Sequence, residues 1–244
     1  MQEFSPYGPS HLVVMALLVA GGLVLVVWGR GHRDPTTVAR DCRILAVAIV
    51  VFMVPLQAVA VVRSGYDLQR SLPFQLCDVA ALLAPYALWS RRHWAVSLTY
   101  YWGLTLTTQA VITPDLSRDF PDPVFILFWA MHLLVVWAAV YLVWALQLTP
   151  TWRTYRTAVA ITAVWALTVY TFNLAADTNY GYLNAKPHAA SALDLLGPWP
   201  WYVLNEILVI AALWALLTWP WTRRARTDDA VDRRTGAPSP APMS

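Results

Sequence analysis

The chain has 244 residues, of which 58% are hydrophobic and 13% charged, with a formal net charge of +3. A soluble globular chain carries about a quarter charged residues, so this composition excludes an ordinary soluble domain. Apolar runs of about twenty residues, the length that crosses a bilayer, predict instead an all-α polytopic membrane protein.

Seven spans are expected in chain order: His11–Trp28, Ile44–Val62, Leu72–Trp89, Trp94–Ile112, Pro123–Gln147, Tyr155–Ala175 and Trp199–Trp219. The first has neither a basic segment ahead of it nor a small-residue cleavage site after it, so it reads as a span and not a signal peptide. The third opens on Pro73, Gln75, Cys77 and Asp78, and an ionisable group in hydrocarbon is usually kept for function. The fourth is diluted by Ser97, Thr99, Thr105, Thr107, Thr108 and Gln109 and is the least apolar of the set. Fourteen Trp and eleven Tyr, many near the ends of these runs, fit interfacial belts. No internal repeat suggests the inverted halves of a transporter. Residues 1–221 thus form one transmembrane domain. Residues 222–244, "TRRARTDDAVDRRTGAPSPAPMS", read as a disordered basic cytoplasmic tail.

Orientation follows from the basic residues. Thirteen of the seventeen Lys and Arg fall in the first, third and fifth connections and in the tail, against Arg63, Arg70, Arg118 and Lys186 on the other side. That bias predicts a cell-membrane protein with its N-terminus outside and its C-terminus in the cytoplasm. The basic balance therefore reflects topology, and nucleic acid is not an expected partner. Membrane lipids are, as solvent and as substrate. Oligomeric state is not readable from the sequence.

The two cysteines, Cys42 and Cys77, fall at opposite faces of the membrane and so cannot pair. No His/Cys spacing suggests a metal and no Gly-rich loop suggests a nucleotide, so no cofactor is expected. Polar residues within the spans gather in the outer half. Cys77 and Asp78 lie about 8–9 Å from the outer end of the third span and His132 about 13 Å from that of the fifth. Gln75, Gln109 and Glu206 share this layer, and His132 is its only imidazole. Convergent polar groups in an apolar bundle mark a binding or reaction cavity. The outer loops 113–123 and 179–202, rich in Pro, Asn, Asp and aromatics, are long enough to cover it. Each residue also has a structural alternative: an apolar filler for the thiol, a packing role for the imidazole, a cap for Asp78.

Three ordered blocks, "LPFQLCDVAAL", "TPDLSRDFPDPVFILFWAMHLLVV" and "NYGYLNAKP…LLGPWPWY", resemble the signatures of the YwaF-like integral membrane protein family. That family includes an animal branch described as transmembrane acyltransferases of ether phospholipids. The resemblance implies a catalytic pair at Cys77 and His132. Gln75 departs from the pattern, since many bacterial members are expected to carry His there.

Acyl transfer through a thioester fits these residues. Cysteine attacks as a thiolate, which apolar surroundings disfavour, so a neighbouring base is needed. Asp115 or Asp119 is expected to orient that base from the loop, or Glu206 from within the bundle. Asn179, Tyr180 and Asn184 are candidates for holding a polar head group. Two other readings remain open: a transporter or receptor with a polar outer cavity, and a non-catalytic assembly protein.

Overall fold

The computed structural model describes residues 3–114, 116–187 and 192–235, and every element longer than a bridge is helical. The main helices are α1 (Pro9–Gly31), α2 (Pro35–Arg63), α4 (Leu76–Ser90), α5 (His93–Trp102), α7 (Pro123–Val140), α8 (Trp152–Ala176) and α9 (Trp201–Thr235). Two short helices, α3 (Leu68–Ser71) and α6 (Thr108–Ile112), complete the set. Their starts follow local chemistry. Proline stands in the first turn of α1, α2 and α7, where its missing N–H costs nothing. Asp34 caps α2 by accepting from Thr37 N at 2.8 Å, and the Thr36 hydroxyl and Thr37 amide hold its exposed carboxyl down at about 2. Asp122 caps α7 in the same way, and Thr151 and Thr154 form a capping box on α8.

Five helices are long and apolar enough to cross a membrane: Pro9–Gly31, Pro35–Arg63, Pro123–Ala145, Trp152–Ala176 and Trp201–Arg223. The remaining two expected spans differ in form. α4 begins at Leu76: Pro73 disfavours the helical conformation for Leu72, and residues 72–75 stay outside the helix, with Leu72 and Gln75 extended. The fourth span is α5, a π turn over Gly103–Thr107, and α6 in one rod. Its hydroxyls were the reason to doubt it, yet Ala95 through Gly103 are all buried. The rod stands inside the bundle, facing protein on every side of that stretch, so it has no need of a lipid-compatible surface. α9 continues as helix through 222–235, a stretch the sequence assigns to the tail; residues 236–244 lie outside the described residues.

Around α5 and the equally buried α7 stand α1, α2, α8 and α9, whose outward stripes of Val, Leu and Ile remain exposed, as lipid contact requires. Lipid gives no hydrophobic drive to helix association, so close packing and polar links must supply it. The Tyr101 hydroxyl pairs with Thr218 Oγ1 at 2.6 Å, and the Trp102 indole donates to Thr162 Oγ1 at 3.0 Å. The Trp214 indole donates to Thr105 Oγ1 at 3.1 Å. These bonds tie the central rod to α8 and α9.

α1 meets α7 through glycine. A Cβ on Gly21 would stand 2.2 Å from the Trp137 ring, whose indole already donates to Leu18 O at 2.9 Å. Gly31, by contrast, faces open space. Gly21→Ala should therefore destabilise the protein by about 1–3 kcal/mol through overpacking, despite alanine's better helix propensity. Gly31→Ala should be silent. Thermal midpoints of the two variants in one detergent check this.

Candidate active site at the lid end of the bundle

Where α8 ends, Asn173 is buried, at 1% exposure, and fully bonded. Its amide donates to Tyr180 O at 2.9 Å and to Asn184 Oδ1 at 3.1 Å, and its carbonyl accepts from Thr178 Oγ1 at 2.8 Å and Tyr180 N at 2.9 Å. This folds residues 177–186 back over the bundle as a lid. Asn179 holds the loop's far side by accepting from Asn184 N and Ala185 N, both at 3.1 Å. Tyr182 accepts at its carbonyl from the Tyr202 hydroxyl on α9.

The lid latches onto the extended residues that precede α4. Tyr180 is buried, and its hydroxyl accepts from Leu72 N at 2.9 Å while donating to Leu68 O. Burial, with the Asp78 carboxylate among the smaller contributors, pushes that phenol above its usual range. Gln75 Oε1 accepts from Gly181 N at 3.1 Å. Gln75 is the residue before the helix, and its side chain is spent on the lid and not on a cap. Asp78 stands in the first turn of α4 beside the Gln75 backbone, where a carboxylate meets the positive end of the helix dipole. Asp78 therefore has a local reason to follow Cys77.

His132 lies on α7, 1% exposed. Its Nδ1 donates to Phe128 O at 2.7 Å, and the Phe128 ring packs on the imidazole with centroids 4.0 Å apart. That bond fixes the tautomer and leaves Nε2 as an acceptor, buried and with no hydrogen-bond partner. The Thr107 hydroxyl is buried and partnerless as well. Gly103 packs against Ala139 and Val135, and the rod runs antiparallel to α7, so Thr107, one turn outward, comes level with His132.

Counted by helical rise, Cys77 falls within about one turn of His132 in depth. At the opposite end of the bundle Cys42 lines a cleft with Leu88, and its neighbour Asp41 accepts from the Tyr141 hydroxyl at 3.4 Å. From that common level Cys77 is eleven residues outward along α4 and His132 nine along α7, or about 17 and about 14 Å. Met131 and Ala80 both belong to the main buried core of the bundle. No hydrogen bond joins Cys77 to His132 Nε2.

The other candidates lie elsewhere. Asp119 accepts from Ser10 Oγ at 2.9 Å and from Phe120 N at 2.6 Å, which binds the loop to α1 and not to His132. Asp115 lies outside the described residues. Gln109 is exposed at the end of the rod. Glu206 is half-buried on α9, within electrostatic reach of the Tyr202 phenol. Both polar side-chain atoms of Asn179, the Asn184 Oδ1 and the Tyr180 hydroxyl are engaged in the loop and its latch. Among the described residues no three His, Cys, Asp or Glu side chains gather as a metal site would.

Two residues escape the sequence reading. His11, at the start of α1, is a second outer imidazole, fully buried and stacked on Trp129 with centroids 5.2 Å apart. It accepts from Tyr7 N at 2.9 Å and donates to Val111 O at 2.7 Å, so both nitrogens are occupied and it serves packing. Asp122 is buried between Arg118 at 3.5 Å and Arg63 at 3.9 Å. An acid directly before the first-turn Pro123 is the cap signature that marks it.

The family model described as the TMEM164 family matches residues 6–218. The chain belongs to that family, which is one of membrane proteins. No curated protein and no solved structure matches it.

Asn173→Leu should strip the lid of four hydrogen bonds at about 1–3 kcal/mol for each group left buried and unpaired. Hydrogen exchange over 178–185 should accelerate while exchange in the α5 core stays slow.

Proposed function

We propose that this member of the TMEM164 family transfers or hydrolyses acyl groups of membrane lipids, with Cys77 as nucleophile and His132 as base. The observation that carries the reading is His132 itself. Its ring is held by Phe128 O, and its Nε2 lone pair is buried without a partner. A buried polar atom left unsatisfied is costly to fold, and it calls for an explanation such as catalysis.

In this scheme His132 Nε2 takes the thiol proton as the Cys77 sulfur attacks the lipid ester carbonyl. Collapse of the tetrahedral adduct breaks the ester bond and leaves a thioester. The departing lyso-lipid oxygen recovers the proton from Nε2. An acceptor hydroxyl, or water, then gives its proton to Nε2, attacks the thioester and releases the thiol, which takes the proton back. The Thr107 hydroxyl is suited to donate to the oxyanion in both halves. The place of Cys77 in the first turn of α4 sets the sulfur at the positive end of the helix dipole, worth about 0.3–1 kcal/mol to an anion. The lid over α4 supports the scheme by excluding water from the reaction layer.

The orientation proposed with it puts the lid outside, on the strength of the thirteen-to-four division of basic residues. Cys42 is too buried, at 4% exposure, for thiol labelling to report sidedness. A reporter fused after Ser244 should instead behave as cytoplasmic, and an external signal would reverse the assignment.

Residues that act as one catalytic unit are strongly non-additive. Cys77→Ala and His132→Ala should each lower acyl exchange in reconstituted vesicles by about 10²–10⁴-fold, and the double variant should be little worse than either. Cys42→Ser should match the unaltered protein. Full exchange in Cys77→Ala would leave non-covalent binding of a solute at the lid end of the bundle as the better reading.

A further inference from the structure

The other end of the bundle holds a second arrangement that acyl chemistry does not use. A cleft of about 210 Å³ lies between α2 and α4, lined by Ala39, Cys42, Arg43, Leu88, Trp89 and Arg91. Cys77 is at the opposite end of α4, about 20 Å away along the helix. Arg43 sets its guanidinium over the Trp89 ring, 5.8 Å from the centroid. Arg91 is the left-handed residue that ends α4, at φ 49°. Among the described residues neither arginine has a carboxylate partner. Asp41, next to Cys42 in the chain, is already occupied: Arg40 pairs with it at 3.1 Å, and it accepts from the Trp28 indole at 2.7 Å and the Tyr141 hydroxyl at 3.4 Å.

Two guanidinium groups without counter-ions beside one cleft favour an oxyanion, and arginine's fork suits phosphate. The surroundings say which kind. On α2 the exposed residues Ile44, Val47, Val51 and Val54 run outward from Arg43, and on α4 Leu82 and Tyr86 run outward from Trp89. Both helices thus carry exposed apolar residues outward of the cleft, and Trp89, 71% exposed, lines it. A free phosphate has no use for such a rim; a lipid's acyl chains do. Basic pockets between transmembrane helices are a recognised form of head-group site.

We propose that this cleft binds the phosphate of an anionic glycerophospholipid, held between Arg43 and Arg91, with its acyl chains along the α2–α4 groove.

The test uses the full chain in mild detergent, titrated separately with phosphatidylglycerol, phosphatidylcholine and inorganic phosphate. Bound lipid is counted by native mass spectrometry, and the thermal midpoint is followed in parallel. Phosphatidylglycerol should be retained and should raise the midpoint above that with phosphatidylcholine. Arg43→Gln and Arg91→Asn should each weaken its binding about fivefold; asparagine is chosen because it tolerates the left-handed backbone. Arg92→Gln, one residue beyond the cleft, should bind as the unaltered protein does. Equal retention by the unaltered protein and the Arg43→Gln/Arg91→Asn double variant would overturn the proposal. So would inorganic phosphate that stabilises as strongly as the lipid. A phosphatidylglycerol with a photoreactive head group, applied to the unaltered protein, checks the site without any variant. Its marks should fall within 39–43 or 88–91, and marks confined to other segments would also overturn the proposal.

Discussion

A bilayer core supplies no hydrogen-bond partners, and this one constraint organises the whole bundle. Every polar group at depth must find its partner within the protein or be kept for a purpose. The central rod of α5, the π turn and α6 shows the first outcome. Its tyrosines, tryptophan and threonines would be costly in lipid, but α7, α8 and α9 enclose them and answer Tyr101, Trp102 and Thr105 with Thr218, Thr162 and Trp214. The π turn at Gly103 belongs to the same economy of space. A Cβ there would stand 3.0 Å from that of Ala139, so glycine lets the two most buried helices approach.

Against that background, the polar atoms left without partners gain meaning. His132 Nε2 and the Thr107 hydroxyl are among five such atoms in the described residues, with the Thr99 hydroxyl and the Trp129 and Trp165 indoles, and helical rise puts Cys77 within about one turn of His132 in depth. Above them, Asn173 folds the 177–186 loop onto the residues that lead into α4. Gln75 and Leu72 are bonded to the lid just ahead of α4, which begins at Leu76 and so carries Cys77 in its first turn. One set of hydrogen bonds joins the lid to the start of α4.

Much of this is legible in the sequence, but unevenly. The all-helical bundle follows from apolar run length, because hydrocarbon thickness leaves few alternatives. The boundaries of α4 do not, since a run beginning at Leu72 looks continuous until Pro73 is weighed against the helical backbone. The serines and threonines of the fourth span mislead for a related reason. Hydropathy measures fitness for lipid, whereas that helix faces protein. Among the candidate residues, Cys77 and His132 are proposed from residue type, depth and the family resemblance, and the fold adds the buried, unpartnered Nε2 of His132. Asn179, Asn184 and Tyr180 look like ligand-binding groups from composition alone, and only the fold shows their polar atoms meeting partners in the loop and the segment before α4. The buried bond of His11 to Val111 O joins residues a hundred apart in the chain, which no local pattern reveals.

The central claim is that a thiol in this layer carries an acyl group with the help of one imidazole. Intact-protein and peptide mass spectrometry after brief incubation with phospholipid, quenched in acid, addresses it directly. The account predicts a hydroxylamine-labile acyl mass on the peptide containing Cys77, absent from the His132→Ala protein. A Cys77 peptide that stays unmodified throughout turnover, or an adduct that forms equally without His132, would contradict it.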